Sequence, residues 1–130
     1  MIPESLPKAI RLAIEAAQDK KASAITALSL EGLGAFAEHF LICSAESARQ
    51  IEAIGDAIEE KLREEGFHAP RREGRTGTEW LLLDYGRLVI HVFSEKTRQF
   101  YDIERLWRAA KRVDIAEPRR SSAAGRGDEQ

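Results

Sequence analysis

W-L-L-L-D-Y-G-R-L-V-I-H-V-F, residues 80–93, is the stretch whose reading decides the fold. Two apolar runs of strand length, rich in bulky and branched side chains, meet at Gly86, the usual punctuation of a tight hairpin. Whether the two-residue loop is Tyr85-Gly86 or Gly86-Arg87, opposed positions sum to an odd number, so the same side chains share a face in both registers. One face then carries Leu81, Leu83, Tyr85, Leu88, Ile90 and Val92, a packing surface for helices. The other carries Trp80, Leu82, Asp84, Val89, His91 and Phe93, aromatics mixed with ionisable groups, and is the candidate site.

Upstream of the hairpin, E-G-R-T-G at 73–77 is a turn. Residues 67–72 form an edge strand, because Pro70 cannot donate to a ladder and Arg71-Arg72 discourage further pairing. Ser47 and Gln50 make a capping box for a helix whose stripe is Ile51, Ile54, Gly55, Ile58 and Leu62 and which stops at Gly66. The unbroken apolarity of H-F-L-I-C-S, 39–44, predicts a central strand covered on both sides. A-I-T-A-L-S-L, 24–30, predicts another, followed by a turn or short helical loop over 31–37. An N-terminal helix capped by Ser5, with Pro7 in its first turn, carries Leu6, Ile10, Ala13, Ile14 and Ala17 at helical spacing to about Gln18. Downstream, Ser94 caps a short helix over 95–100, and Asp102 caps another with Leu106, Trp107 and Ala110. Beyond Val113 the periodicity is gone, so the chain divides into a domain over 1–113 and a disordered tail over 114–130. The expected architecture is α/β: a single domain with a mixed sheet of about five strands covered by helices.

Composition removes several functional classes. With 43% hydrophobic and 32% charged residues in 130, and no apolar run near the roughly 20 residues that cross a bilayer, a membrane protein is not expected. M-I-P-E-S-L-P-K lacks the marks of a secretory signal, so a cytoplasmic location is expected. Cys43 is the only cysteine, which excludes an internal disulfide and a multi-cysteine zinc site and reads as a small buried hydrophobe. A net charge of −2 argues against bulk electrostatic grip on nucleic acid, and no sequence-specific binding is expected. His39, His68 and His91 lack metal-ligand spacing, and no glycine-rich phosphate loop stands between a strand and a helix. No cofactor or metal is expected. Asp84 and His91 share a face and could in principle do acid–base work, but a lone histidine among aromatics is more often structural. For Trp80 the two readings, core residue and interface hot spot, are about equally supported.

The hairpin motif, together with R-Q-F-Y-D-I-E-R-L-W at 98–107, closely resembles the ribosomal silencing factor, or Iojap-like, family. The likeness continues through R-E-G at 72–74, Ser47 with Gln50, and D-K-K-A at 19–22, covering about residues 5–110. It implies a fold shaped like the nucleotidyl transferases without their catalytic acids, and a protein that is not an enzyme. It implies a translational repressor, often a homodimer, that binds the 50S-type large ribosomal subunit through its protein fourteen. That contact hinders association with the small subunit under nutrient limitation or in stationary phase. The partner-binding residues it implies are Trp80, Leu82, Asp84, Tyr85, His91, Phe93, Arg98, Tyr101 and Glu104. The chain departs from the family at Ala24 and Ser29, where acids are common, at Ala45, where glycine is, and at Arg87, where an aspartate follows the turn glycine. The alternative is a nucleotidyl-transfer-type enzyme or nucleotide-binding domain.

Overall fold

The hairpin turns at Gly86-Arg87: the Tyr85 N–H donates to the Leu88 carbonyl at 2.8 Å, and Gly86 lies at φ 91°, where a Cβ would be strained. The Asp84 carboxylate accepts the Gly86 N–H at 2.8 Å and fixes the corner. A computed structural model describes residues 2–74 and 77–116. In chain order they form α1 (Lys8–Asp19), β1 (Ser23–Ser29), β2 (His39–Ala45), α2 (Ala48–Glu64), β3 (Arg71–Glu73), β4 (Trp80–Asp84) and β5 (Leu88–Ser94). They continue through α3 (Glu95–Tyr101), α4 (Ile103–Leu106) and β6 (Lys111–Asp114). The strands make one sheet in the order β3-β4-β5-β2-β1-β6. β2 and β5 run parallel at its centre, and the remaining neighbours are antiparallel.

The β4–β5 register pairs Trp80 with Phe93 and Asp84 with Val89, so the predicted division of side chains holds. Leu81, Leu83, Leu88, Ile90 and Val92 are buried against Ile10, Ile14, Ile51, Ile54, Ile58 and Leu62 of α1 and α2, the larger core. The opposite face carries a smaller core of Leu28, Leu30, Ile42 and Phe93, against which Ile103 and Trp107 pack from the α3–α4 segment. Cys43 is fully buried, and burial pushes its thiol up to about 12, so it is the inert hydrophobe expected.

Several expectations change. The sheet has six strands, because K-R-V-D at 111–114 pairs antiparallel with β1 from Ser29↔Lys111 to Thr26↔Asp114. Three of its four side chains are exposed, so no apolar alternation announces it. The strand crosses the expected domain boundary at 113, and Ile115 beyond it is buried, its N–H bonded to the Ile25 carbonyl at 2.8 Å. Residues 117–130 of the expected disordered tail lie outside the described residues. Ser5 does not cap α1: Pro7, at φ −55°, is the N-cap, and its carbonyl accepts the Ile10 and Arg11 N–H groups. Asp102 makes no side-chain cap either; at φ 48° it closes α3 by donating its N–H to the Arg98 carbonyl. The edge strand over 67–72 shrinks to Arg71–Glu73, leaving Pro70 outside the ladder.

Ser47 caps α2 as expected, its hydroxyl accepting the Gln50 N–H at 3.1 Å. The Gln50 side chain does more than close a capping box. Its Oε1 accepts the Glu46 N–H, while Nε2 donates to the Lys20 and Lys21 carbonyls, tying the end of α1 to the start of α2.

Gly55 lets α2 lie close on β4: a Cβ there would overlap Cδ2 of the buried Leu81. Gly55→Ala gains about 1 kcal/mol in helix propensity but overpacks the core by about 1–3 kcal/mol. We expect a net fall of a few degrees in Tm by calorimetry; a rise would show that the helix can back away from the sheet at no cost.

Candidate functional site

The smaller-core face is built around Trp80. Its half-buried indole donates from Nε1 to His91 Nδ1 at 3.2 Å. Its ring lies 4.7 Å from Tyr101, 5.5 Å from Phe93 and 5.9 Å from His91, centroid to centroid. Phe40 of β2 meets His91 edge-on at 4.8 Å and Trp107 edge-on at 6.1 Å. The result is a continuous aromatic row, Tyr101–Trp80–His91–Phe40–Trp107, floored by Phe93. Leu82, Asp84 and Val89 are half-buried on the same face.

His91 is 4% exposed, and burial lowers its pKa from the ordinary 6.5 to about 4. It is therefore neutral at physiological pH. Since Nδ1 accepts from Trp80, the proton sits on Nε2, which has no partner among the described residues. Asp84 bonds the turn amide and His91 bonds Trp80, so the two are not joined into an acid–base pair. Among the described residues no three His, Cys, Asp or Glu side chains gather as metal ligands would.

The nine residues singled out from the sequence do not form one surface. Trp80 and Tyr101 meet at one end of the aromatic row, with Tyr101 55% exposed, while Leu82 and Asp84 follow on the same face of β4 toward the turn. Phe93 is fully buried and His91 nearly so; both support Trp80 from below and offer a partner no area. Tyr85 lies on the opposite sheet face, beside His68 at 5.9 Å. Its hydroxyl is buried without a partner among the described residues, and desolvation, with the nearby Glu59 charge, pushes it up to about 12.

Arg98 is 7% exposed and turns inward. Its Nε and Nη2 grip the two Glu104 oxygens at 2.7 and 3.2 Å. Nη1 donates to the Ala24 carbonyl at 2.7 Å and to Ser44 Oγ at 2.8 Å. Glu104 also holds Arg112 of β6 at 2.9 Å. Hydrogen bonding from Arg98, above all, keeps the Glu104 carboxyl below the usual range. Arg98 and Glu104 thus fasten the α3–α4 segment to β1, β2 and β6.

Phe40 and Trp107 belong to the row but were not among the site residues read from the sequence. Phe40 pairs with Val89 through the parallel β2–β5 ladder, a long-range adjacency that no local pattern signals.

Residues 3–130 match the family model described as "Ribosomal silencing factor during starvation". The chain belongs to the ribosomal silencing factor family. A relative named ribosomal silencing factor from Halalkalibacterium halodurans is 37% identical over 106 residues, 82% of this chain and 91% of the relative. The chloroplastic protein Iojap of Arabidopsis thaliana is 34% identical, with 86% of this chain matched to 46% of that longer protein. A crystal structure of a Chromobacterium violaceum protein superposes with a TM-score of 0.75 at 32% identity, covering 86% of this chain and 94% of the other. As a ribosomal silencing factor this is a ribosome-associated regulatory protein of translation and not an enzyme, which sets aside the nucleotidyl-transfer alternative. No helix among the described residues is long and apolar enough to cross a membrane.

Two pH windows follow for the silencing factor. Between the ordinary 6.5 and about 4, unfolded chains protonate His91 and folded ones do not, so stability falls as pH is lowered through that range. Glu104 acts lower: its stabilisation is complete above the ordinary 4.5 and is lost as pH falls through its depressed folded value. We expect His91→Asn, which keeps an acceptor for Trp80, to flatten the upper slope in denaturant titrations and leave the lower decline in place. An unchanged upper slope would show that another group carries it. Arg98→Ala, which strips Glu104, Ser44 and the Ala24 carbonyl of their shared partner, should cost about 3–5 kcal/mol by denaturant unfolding. A loss below about 1 kcal/mol, the value of a surface pair, would show the network is dispensable.

Proposed function

We propose that this protein silences translation under nutrient limitation by binding the large ribosomal subunit through its protein fourteen and so hindering the small subunit from joining. The observation that supports the reading is the aromatic row, with the half-buried Trp80 near its exposed end and the Asp84 carboxylate further along the same face of β4 at the turn. Ribosomal proteins are basic, and a carboxylate beside a desolvated aromatic anchor pairs long-range attraction with tight short-range packing. Trp80 is held by His91, Phe93 and Tyr101 before any partner arrives, so little side-chain entropy is lost on docking. Steric blocking requires a rigid occupant and no chemistry. A ribosomal partner implies action in the cytoplasm. Arg87, its side chain 86% exposed, lies 3.9 Å from Glu38, which partly offsets its charge at the hairpin turn.

Trp80→Ala should cost at least about 2 kcal/mol of binding, roughly thirtyfold, in co-sedimentation with isolated large subunits at moderate salt. Because the indole is only half-buried, its Tm should fall less than that of Phe93→Ala, whose fully buried ring is worth about 3–5 kcal/mol of stability. Intact affinity with a collapsed Tm would move Trp80 from the site into the core, and failure of the wild type to sediment with subunits would end the proposal.

The reading includes a two-fold homodimer. Phe36, Phe100, Tyr101 and Leu106 are all exposed, more large apolar surface than a small monomer ordinarily leaves open. Light scattering at micromolar concentration should give about twice the 14.6 kDa of one chain. A value of 14.6 kDa would remove the dimer and leave ribosome binding untouched.

A further inference from the structure

The charge of the chain is segregated, although its total is −2. The groove between α1 and α2 is lined by Glu15, Asp19, Asp56, Glu60 and Glu64 against two lysines. On the other side of the sheet, the α3–α4 segment presents two shallow concavities of about 900 and 690 Å³ that meet at Phe100 and Tyr101. Lys96 lines one, and Arg105 and Arg108 line the other. Arg105 and Arg108 take part in no ion pair among the described residues, unlike the inward-turned Arg98 and the neighbouring Arg112, while the charge of Lys96 acts on Glu79 and helps to lower its carboxyl. Opposing them, Asp102 is the one carboxylate lining the larger concavity, while Glu79 in the smaller is engaged by Ser94 and Thr97. Phe100 is 79% exposed and Leu106 76%, so the surface joins unpaired cations to open rings and aliphatics.

A basic ribosomal protein would be repelled by this surface, whereas the phosphate backbone of RNA would not, and exposed rings suit unstacked bases. The surface is continuous with the aromatic row through Tyr101, which stacks on Trp80. We infer that the α3–α4 surface is a second contact of the bound protein, made to RNA of the same large subunit without regard to sequence. Arg105, Arg108 and Lys96 neutralise phosphates, and Phe100 gives a base a ring to lie on. This inference rests on the ribosome-binding reading and adds a partner class to it.

The test compares wild type with the triple variant Lys96→Gln, Arg105→Gln, Arg108→Gln and with Phe100→Ala. Three measurements are made: affinity for isolated large subunits across a salt series, affinity for isolated protein fourteen, and binding to a fluorescent oligouridine. Removing three phosphate contacts should flatten the logarithmic salt dependence of subunit binding by about 2–3 and weaken it about tenfold at roughly 0.1 M salt. Affinity for protein fourteen should be unchanged, and oligouridine should bind wild type more tightly than either variant. An unchanged salt slope overturns the inference. So does an equal loss toward protein fourteen, which would give the surface to that protein. A variant that turns a dimer into a monomer in light scattering would give it to a second copy and likewise overturn the inference. If the wild type fails to bind subunits at all, the parent reading falls, and oligouridine alone then decides whether the surface binds RNA.

Discussion

A buried guanidinium is the interaction on which the rest of this structure depends. Arg98 leaves α3, passes beneath it, and reaches the Ala24 carbonyl of β1, the Ser44 hydroxyl of β2 and the carboxylate of Glu104. Ala24 sits at φ 49° within an irregular stretch of the β1–β2 ladder between Ser23 and Thr26, where a carbonyl is left without its ladder partner. A charged donor from elsewhere satisfies it. Glu104 in turn draws in Arg112, and Asp114 accepts from both Arg112 and the Thr26 hydroxyl, so edge strand β6 is stitched to the same network. Lysine could not do this, because only the planar fork serves a bidentate carboxylate and a carbonyl at once.

That fastening decides what the open face looks like. α3 and α4 are short, seven and four residues, too short to hold a position by their own stability. Pinned by Arg98 and Glu104, they deliver Tyr101 to Trp80 and Trp107 to Phe40. Arg98 and Glu104 therefore set the positions of the rings on this face. Trp80 likewise escapes the choice between core and hot spot. Its inner edge rests on Phe93 and His91, and its outer surface stays open, the geometry of an anchor held ready.

The hairpin, the two central strands and α2 were legible because each is local: a turn glycine, a period of two, a cap with its stripe. The five buried residues of α2 are those of the predicted stripe. β6 was not legible, since three of its four side chains face solvent and its only mark is a ladder with a strand more than eighty residues earlier. The site was half legible for the same reason. Alternation along β4 and β5 put Trp80, Leu82 and Asp84 on one face, while Phe40 joined them through a parallel pairing that alternation cannot reveal. The inward turn of Arg98 was not legible because charged residues are usually exposed, and inward use of one depends on acceptors contributed by three separate elements.

Three buried ionisable groups of this fold are held away from titration near neutral pH. His91 is held neutral down to about 4, while the Cys43 thiol and the Tyr85 phenol are held protonated up to about 12. An enzyme needs groups poised near neutrality, because proton transfer is efficient only when both forms are accessible. A blocking protein needs the reverse, a surface whose charge and shape stay constant while the cell's pH drifts. A protein that works by associating with the ribosome needs no such poised group, and these three keep the charge of its interior constant as pH drifts.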